Sequence, residues 1–543
     1  MFLDLSEAKK TRLFPEPPPA PKPAKRTLSA ASVPGSMLSG LSGNYGFAGA
    51  KYNRLTEDFL AAQRSADQDL FGDNIRLRAR ARKLAVDNPF ARKFLAMVVQ
   101  NVTGPAGILM QAKVKNEHGK ATEQTKRINQ RIEEEWKNWC EVGSCSADGR
   151  FSFAELQQLA IKNVAREGEN LVKLAYDRSF NPTGFALQPL DNDQLDDTLM
   201  RRESDTVQVR LGVEVNQYQR PTAYHLWASH PFEAAGLGTR LRSRIPAADV
   251  IHSFVSERPV QTRGYTWMSA AILPLHHYER YDEATVVAAR ASAAKFGVIQ
   301  REAAEGYTED EDEDVNGEQS SDTNGAGLMN ASPGEMMTLG PGETLNYIDP
   351  KFPTQTYRDF TRTTLRNIAS GLLVSYPSLA NDLEGVNFSS IRAGLLDERD
   401  SWRIIQRWFI DHFLKPVFDA WLRMALLTTL QDIELSPRQK RQVAWRARGW
   451  PWVDPLKDAQ STILDLQNGL DTYENTLAEM GLDFEEVMTQ RASEQKFIED
   501  LKLRLGTDIR GIADSASDVA GGTDGSGAAA QQDEQKGKSG GGQ

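Results

Sequence analysis

"VNFSSIRAGLLDERDSWRIIQRWFIDHF", residues 386–413, begins as a polar turn and continues as one long amphipathic helix. Asn387 and the pair Ser389 and Ser390 favour a turn or a helix N-cap, because their side chains bond nearby backbone donors. Apolar residues then recur at three-, four- or seven-residue steps, which is the spacing of one helical face: Ile391, Leu395, Trp402, Ile405, Phe409, Phe413, Val417 and Trp421. The pattern continues to about Leu427 and predicts a helix roughly 58 Å long that bends at Pro416.

The rest of the chain predicts an α+β fold that is rich in helix. Helical patterns cover about 53–101, 121–140, 153–167, 266–296, 354–372 and 455–506, the last interrupted at Gly469 and Gly481. Between 170 and 256, alternating runs separated by Gly, Pro and Asn predict strands: "NLVKLAY", "FALQPL", "VQVRLGVEVN", "PTAYHLWAS" and "DVIHSFV". Segments 1–50 and 508–543 are rich in Pro, Ser, Gly and Ala, and we expect them to be disordered.

The net charge of −10 comes from one short segment of the 543-residue chain. Residues 302–322, "EAAEGYTEDEDEDVNGEQSSD", contain ten acids and no base, and removing them from the 74 acids leaves 64 against 64 Lys and Arg. A neutral body argues against a dedicated high-affinity DNA-binding protein, which normally has a basic excess. The chain has no run of about 18 apolar residues, so we expect no membrane span. The start, "MFLDLSEAKKTRLF", lacks the apolar core of a signal peptide.

The chemical motifs in the sequence do not combine into a catalytic site. No G-x-x-x-x-G-K-[ST] nucleotide-binding loop occurs. "LDNDQLDD" groups four acids in a superficial likeness to a two-metal nuclease, but the sequence favours an acidic turn between strands: Asp191, Asp193, Asp196 and Asp197. His276, Glu279 and Glu283 share a helical face whose spacing could hold a metal, but the sequence favours a polar face that makes hydrogen bonds between subunits. Cys140 and Cys145 lack a second ligand pair and are predicted to be ordinary thiols of a reducing cytosol. We therefore expect no enzyme activity, no metal and no cofactor.

Two charged runs each allow two interpretations. "IRLRARARK" is either a solvated helix that makes ion pairs or a phosphate-contacting patch, and its basic residues are Arg76, Arg78, Arg80, Arg82 and Lys83. The acidic run is either a solvated loop or a surface that receives a basic partner and repels phosphates. Its residues are Glu309, Asp310, Glu311, Asp312, Glu313 and Asp314.

Many fragments, in order over residues 50 to 500, resemble the lambda-type family of tailed-phage portal proteins. They include "RARARKLAVDNPFARKFLAMVVQNVTGPAGILMQ", "FSFAELQQLAIKNVAREGENLVKL", "IPAADVIHSFVSERPVQTRGYTWMSAAI", "NDLEGVNFSSIRAGLLDERDSWRIIQ" and "WVDPLKDAQSTILDLQNGLDTYENTLAEMGLDFEEV". The resemblance implies a ring, normally of twelve subunits, at one capsid vertex of the virion, assembled in the host cytoplasm. Double-stranded DNA passes through such a ring without sequence readout. The implied protein partners are the terminase large subunit, the major capsid and scaffold proteins, and the head–tail connector proteins.

The resemblance also implies a division of the chain into regions. These are a disordered segment (1–50), a wing (51–265), a stem helix (266–296), a clip with the acidic insert (297–348), a second stem helix (349–374), a tunnel loop (375–388), the long wing helix and following segment (389–454), a crown (455–507) and a disordered tail (508–543). The tunnel loop would line the DNA channel with Asn381, Asp382, Glu384, Asn387 and Ser389. Gly385 permits its turn, and its acids would discourage DNA from sticking. Two features depart from the family pattern: Phe388 stands where many relatives carry Tyr, and the acidic stretch is longer than usual.

Two other classes of protein remain open from the residues alone. A packaging nuclease–ATPase would need the missing nucleotide-binding loop together with a convergent set of carboxylates. A capsid scaffold or a connector of different symmetry would need neither.

Overall fold

The computed structural model describes residues 63–204, 206–233, 241–293, 297–301, 343–347, 356–384, 388–450, 455–482 and 484–500. The segments predicted to be disordered (1–50 and 508–543), the acidic run 309–314, Gly385 and Asn387 lie outside these ranges. The two units into which the chain divides are 1–64 and 65–543. All the elements described below belong to the second unit.

The helices of the described residues agree closely with the helical patterns of the sequence. They are α1 (Ala66–Leu70), α2 (Asp73–Asp87), α3 (Pro89–Val102), α4 (Glu123–Cys140), α5 (Phe153–Glu167), α6 (Ile272–Ala293), α7 (Thr356–Gly371), α8 (Tyr376–Ala380), α9 (Phe388–Phe409), α10 (Lys415–Leu427), α11 (Pro455–Gln467), α12 (Tyr473–Glu479) and α13 (Phe484–Asp500). Within the described residues, no helix is both long and apolar enough to cross a bilayer.

The strands form small antiparallel sheets. They are β1 (Leu109–Ala112), β2 (Glu169–Tyr176), β3 (Phe185–Leu190), β4 (Arg201–Arg202), β5 (Val207–Arg210), β6 (Val213–Asn216), β7 (Pro221–Trp227), β8 (Arg242–Pro246), β9 (Val250–Phe254), β10 (Gly297–Arg301), β11 (Glu343–Tyr347) and β12 (Val443–Arg446). Their orders are β1-β12, β10-β11, β3-β2-β9 and β4-β5-β6-β7-β8. This mixture of helices and separate sheets confirms the predicted α+β class.

The long helix contains a π-helical turn immediately before Pro416. Residues Ile410–Leu414 form this turn between α9 and α10, and the Lys415 N–H bonds to the Ile410 carbonyl five residues earlier. Pro416 has no N–H to offer the His412 carbonyl. That carbonyl instead accepts a hydrogen bond from the Ser253 hydroxyl of β9, at 3.0 Å. The sequence predicts a bend at Pro416, and the structure has a π-helical turn immediately before that residue, with a hydrogen bond from β9 to the His412 carbonyl.

One predicted strand is a tight hairpin. "VQVRLGVEVN" forms β5 and β6, which pair from Arg210 opposite Val213 and leave Leu211 and Gly212 as a two-residue turn. Both turn residues have positive φ, 49° and 82°. These angles match the turn that suits the right-handed twist of paired strands. The buried Leu211 carbonyl accepts a hydrogen bond from Arg263 Nη1 at 2.9 Å.

Two apolar cores lie on opposite faces of β2. Val172 and Leu174 belong to the large core, and Leu171, the residue before Val172, belongs to the small core of the five-stranded sheet. In the large core the Trp136 ring lies 4.9 Å from the ring of Trp421, edge to face, so α4 packs directly on α10.

Candidate functional site

The segment between α7 and α9 contains a short helix where the sequence predicts only a loop. Ser375 is the N-cap residue of α8, and Pro377 lies in its first turn. Leu379 is 1% exposed and fixes the helix to the large core. Asn381 ends α8 with a left-handed backbone (φ 54°), a conformation that Asn tolerates better than most residues. Residues 376–380 of the predicted loop are therefore helical, because Pro377 suits the first turn and the buried Leu379 favours a turn of helix there.

Hydrogen bonds to Glu398 of α9 hold the start of this segment against the long helix. Its buried carboxylate accepts hydrogen bonds from the hydroxyls of Ser375 and Ser378, at 2.6 and 3.0 Å. The Trp402 indole N–H donates to its other oxygen at 3.3 Å. A charge-assisted set of this kind holds both partners in one geometry.

Asp382 fastens the other end of the segment to α7. Its carboxylate accepts from the Tyr376 hydroxyl at 2.6 Å and from Arg362 Nη2 at 2.8 Å. The Glu384 backbone N–H also donates to it, at 3.0 Å. The Tyr376 hydroxyl, together with Arg362 and that N–H, holds the pKa of Asp382 well below its usual range. Asp382 is therefore an anion with three donors around it.

Glu384 is also paired with an arginine of α7. Its carboxylate contacts the Arg358 guanidinium, and both side chains are exposed. A third arginine, Arg366, lies over the Tyr376 ring, 5.4 Å from its centroid. All three arginines come from one helix.

The structure changes the interpretation of the residues predicted to line the channel. Asn381 is exposed at the end of α8. Asp382 and Glu384, expected as unpaired acids that repel DNA, have their charges balanced by Arg362 and Arg358. Ser389 lies in the first turn of α9, and Asn387 is outside the described residues.

Burial divides the basic run of α2 into two groups. Arg78 is 2% exposed and contacts Asp193 at 2.9 Å, Glu169 at 3.4 Å, and Asp197. Arg82 pairs with Glu167 and Asp191, at 2.7 and 2.8 Å. These two arginines make the ion pairs of the first interpretation, and Arg78 is not available to a phosphate at the surface. The exposed members are Arg76, which faces Asp73 at 3.6 Å, Arg80 and Lys83.

The partners of Arg78 belong to a buried ionic cluster around β2. Glu169 is fully buried and accepts from Arg263 Nε at 2.8 Å and from His252 Nε2 at 3.0 Å. Burial would raise the pKa of Glu169, but the charge and hydrogen bonds of Arg263 and His252 outweigh it and hold this pKa well below its usual range. Burial lowers the pKa of His252, although the hydrogen bond and the charge of Glu169 act in the opposite direction. The cluster joins α2 and β2 to the hairpin turn at Leu211.

The acidic turn of the sequence faces arginines. Asp191, Asp193 and His230 form the group of potential metal ligands found within the described residues. Arg82 contacts both of these aspartates. Asp196 contacts Arg242, and Asp197 contacts Arg78 and Arg263. A set of carboxylates that arginines already neutralise is typical of an ion-paired turn between strands.

The residues of α6 that the sequence offers as metal ligands do not come together in the structure. Within the described part of the chain, His276, Glu279 and Glu283 do not form a group with metal-binding distances. Glu283 instead pairs with Arg280 at 3.1 Å, one turn away on the same helix.

Sequence reasoning missed the residues that hold the segment between α7 and α9: Arg358, Arg362, Tyr376 and Glu398. The spacing of the arginines by four residues was visible in "TYRDFTRTTLR". That spacing predicts a common helical face but not the acids that the face contacts.

Comparison with known proteins gives the following matches. A family model described as phage portal protein, lambda family, matches residues 52–406. A probable portal protein of Halomonas phage phiHAP-1 is 34% identical over 449 residues, which cover 81% of this chain and 84% of the relative. Portal protein B of Escherichia phage lambda is 22% identical over 461 residues, which cover 79% of this chain and 85% of the relative. A solved chain from the neck of an empty GTA particle is 15% identical, with a TM-score of 0.37, and the match covers 79% of this chain and 98% of that one.

Proposed function

Because the chain belongs to the lambda family of phage portal proteins, we propose that it forms a ring at one capsid vertex through which double-stranded DNA is packaged and later ejected. Membership of this family is what the sequence predicts, and it makes the protein a structural component of the phage particle. We propose twelve subunits in the ring, assembled in the host cytoplasm with the major capsid and scaffold proteins. The ring then docks the terminase large subunit during packaging and the head–tail connector proteins afterwards. It has no catalytic role of its own in this proposal.

The arrangement of α7, α8 and α9 is the observation that supports this function best. A ring with a bore needs a short segment that reaches inward and a rigid element that holds it. Glu398 and the buried Leu379 hold the start of the segment against α9 and the large core. Asn381 and Leu383 are exposed just beyond it. We therefore assign 375–388 to the tunnel loop and the long helix from 389 onward to the long wing helix.

The other regions follow the division of the sequence. We propose that the strand-rich part before α6 is wing, that α6 and α7 are the stem pair, and that α11 to α13 are crown. The residues between α6 and α7, with their acidic run, are the proposed clip and the surface that docks the motor. β10 and β11, which pair with each other at the two ends of this stretch, suit a compact module between the stem helices.

Electron microscopy of the purified protein, combined with crosslinking to DNA, tests the proposal. We expect rings with a central hole. A photocrosslinker attached at Asn381→Cys should capture DNA in packaged particles, and one attached at Tyr218→Cys should not. Tyr218 is a suitable control because it is 80% exposed on the turn between β6 and β7, far along the chain from the tunnel loop. Single subunits under all assembly conditions, or equal capture by both variants, would show the proposal to be wrong.

A further inference from the structure

Helix α7 carries a row of three arginines. Arg358, Arg362 and Arg366 follow one another at four-residue steps, so they lie along one side of the helix. At 1.5 Å per residue the row is roughly 12 Å long. The phosphates of one strand of duplex DNA are spaced about 3.4 Å along its axis. The row therefore spans about three phosphate steps of one strand, which is enough for each of its three arginines to contact a phosphate.

Each arginine of the row is covered by a group from residues 376–384. Glu384 contacts Arg358, Asp382 contacts Arg362 at 2.8 Å, and the Tyr376 ring lies under Arg366. Two carboxylates thus face three guanidinium groups. A carboxylate and a phosphate offer arginine the same pair of acceptor oxygens, so the acids occupy the positions that a phosphate would take.

The two ion pairs differ in how firmly they are held. In the Arg358–Glu384 pair the side chains are 62% and 69% exposed, and exposed pairs of this kind are weak and screened by salt. In the Arg362–Asp382 pair they are 26% and 24% exposed, and Asp382 has two further donors. A competing anion should therefore displace Glu384 from Arg358 first, and should displace Asp382 from Arg362 only if it binds arginine more strongly.

We propose that the arginine row of α7 is a binding site for the backbone phosphates of duplex DNA, and that Asp382 and Glu384 mask it. This inference rests on the proposed function, which puts the segment beside DNA. When a phosphate displaces a carboxylate, one guanidinium–anion contact replaces another. The net gain is small, so the row guides DNA without holding it. Fully exposed, the row would add three positive charges per subunit and would bind DNA too firmly for movement.

Removing the more exposed acid is the sharpest test. Glu384→Gln frees Arg358 at an exposed position, where substitution is well tolerated. Binding of a fluorescent duplex to the assembled protein is measured by anisotropy at several salt concentrations. Each added phosphate contact steepens the plot of log affinity against log salt by about 0.9. We expect Glu384→Gln to add at least one contact, and each added contact gives roughly three- to fourfold more loss of affinity between 50 and 200 mM salt.

A matched control and a reversal make the result specific. Asp400 on α9 is 71% exposed and pairs with an arginine, Arg403, at 3.0 Å. Asp400→Asn therefore makes the same change of charge elsewhere and should leave the slope at the wild-type value. Adding Arg358→Gln to Glu384→Gln should restore that value, and adding Asp382→Asn to Glu384→Gln should steepen the slope further.

Each outcome separates this inference from the proposed function. If Glu384→Gln and Asp400→Asn give the same slope of log affinity against log salt, the masked site is refuted. If the wild-type rings nevertheless package DNA normally, the portal role remains intact. A gain of affinity for a poly-glutamate peptide without a gain for duplex would assign the row to an acidic protein partner and would overturn the inference. Absence of rings in the wild-type preparation would count against the portal role itself.

Discussion

Replacing Glu169 with Gln should lower the free energy of unfolding by about 3–5 kcal/mol. The cluster around β2 contains two buried cations, Arg78 and Arg263, and two buried anions, Glu169 and Asp197. Glu169 is the fully buried anion, with four donors within 3.4 Å: Arg263, His252, Arg78 and the Gly264 N–H. Glutamine keeps the shape but removes the charge. Asp197 and the less buried Asp193 would then be the carboxylates left to Arg78 and Arg263, and the loss of their fully buried partner accounts for the magnitude.

The pH dependence of the loss has a definite sign. The pKa of Glu169 is held below its usual range in the folded chain. Its contribution to stability is therefore present above the unfolded value of about 4.3 and is lost as pH falls through the folded value. The difference between wild type and Glu169→Gln should be full at pH 7 and should begin to shrink below about pH 4.

Guanidinium unfolding followed by tryptophan fluorescence and by circular dichroism measures the effect, provided that the two transitions coincide. Glu134→Gln, at an exposed position of α4, is the control and should change stability by less than about 0.5 kcal/mol. The double variant Glu169→Leu with Arg263→Met leaves one buried cation and one buried anion. It should therefore be less destabilised than Glu169→Gln alone. A loss of less than about 1 kcal/mol for Glu169→Gln, or a double variant that is worse than the single one, would refute the charge-balance reasoning.

Three further substitutions or modifications test other parts of the structure. Burial raises the pKa of Cys145 to about 12 and raises that of Cys140 well above its usual value. Neither thiol should therefore react with a disulfide reagent at pH 8 until denaturant is added. Rapid labelling of the folded chain would contradict this prediction. Ser253→Ala should cost about 1 kcal/mol because it leaves the His412 carbonyl without its donor, and an unchanged unfolding midpoint would show that water replaces the hydroxyl. Glu398→Gln should speed amide hydrogen exchange in α8 while leaving α4 unchanged; equal exchange in both proteins would mean that Leu379 alone holds α8 in place.

Elements with local signals are the part of the fold that the sequence predicts well. The expected helix over 153–167 has the observed bounds of α5. Ser152 and Glu155 cap each other at its start, and Gly168 adopts φ 95° at its end. All of these groups lie within a few residues of the helix ends, so a single sequence contains the information. The β1–β12 pair, missed entirely, joins Leu109 to Arg446 across more than half of the chain. Nothing local specifies such a pair, because strand pairing depends on what the rest of the fold brings together.

The same distinction explains why charged residues were the least predictable part of the candidate site. Arg78 and Arg80 are two residues apart in one helix, yet the first is buried among carboxylates and the second is exposed. In the segment after α8, Asp382 and Glu384 look from the sequence like free anions that would repel DNA. Their charges are balanced by arginines twenty or more positions earlier in the chain. The electrostatic field that DNA experiences at a surface depends on both charges of each ion pair and not on the acid alone. A channel of low adhesion can therefore be built from strongly charged residues, provided that carboxylates of the same chain compete with phosphate for the guanidinium groups.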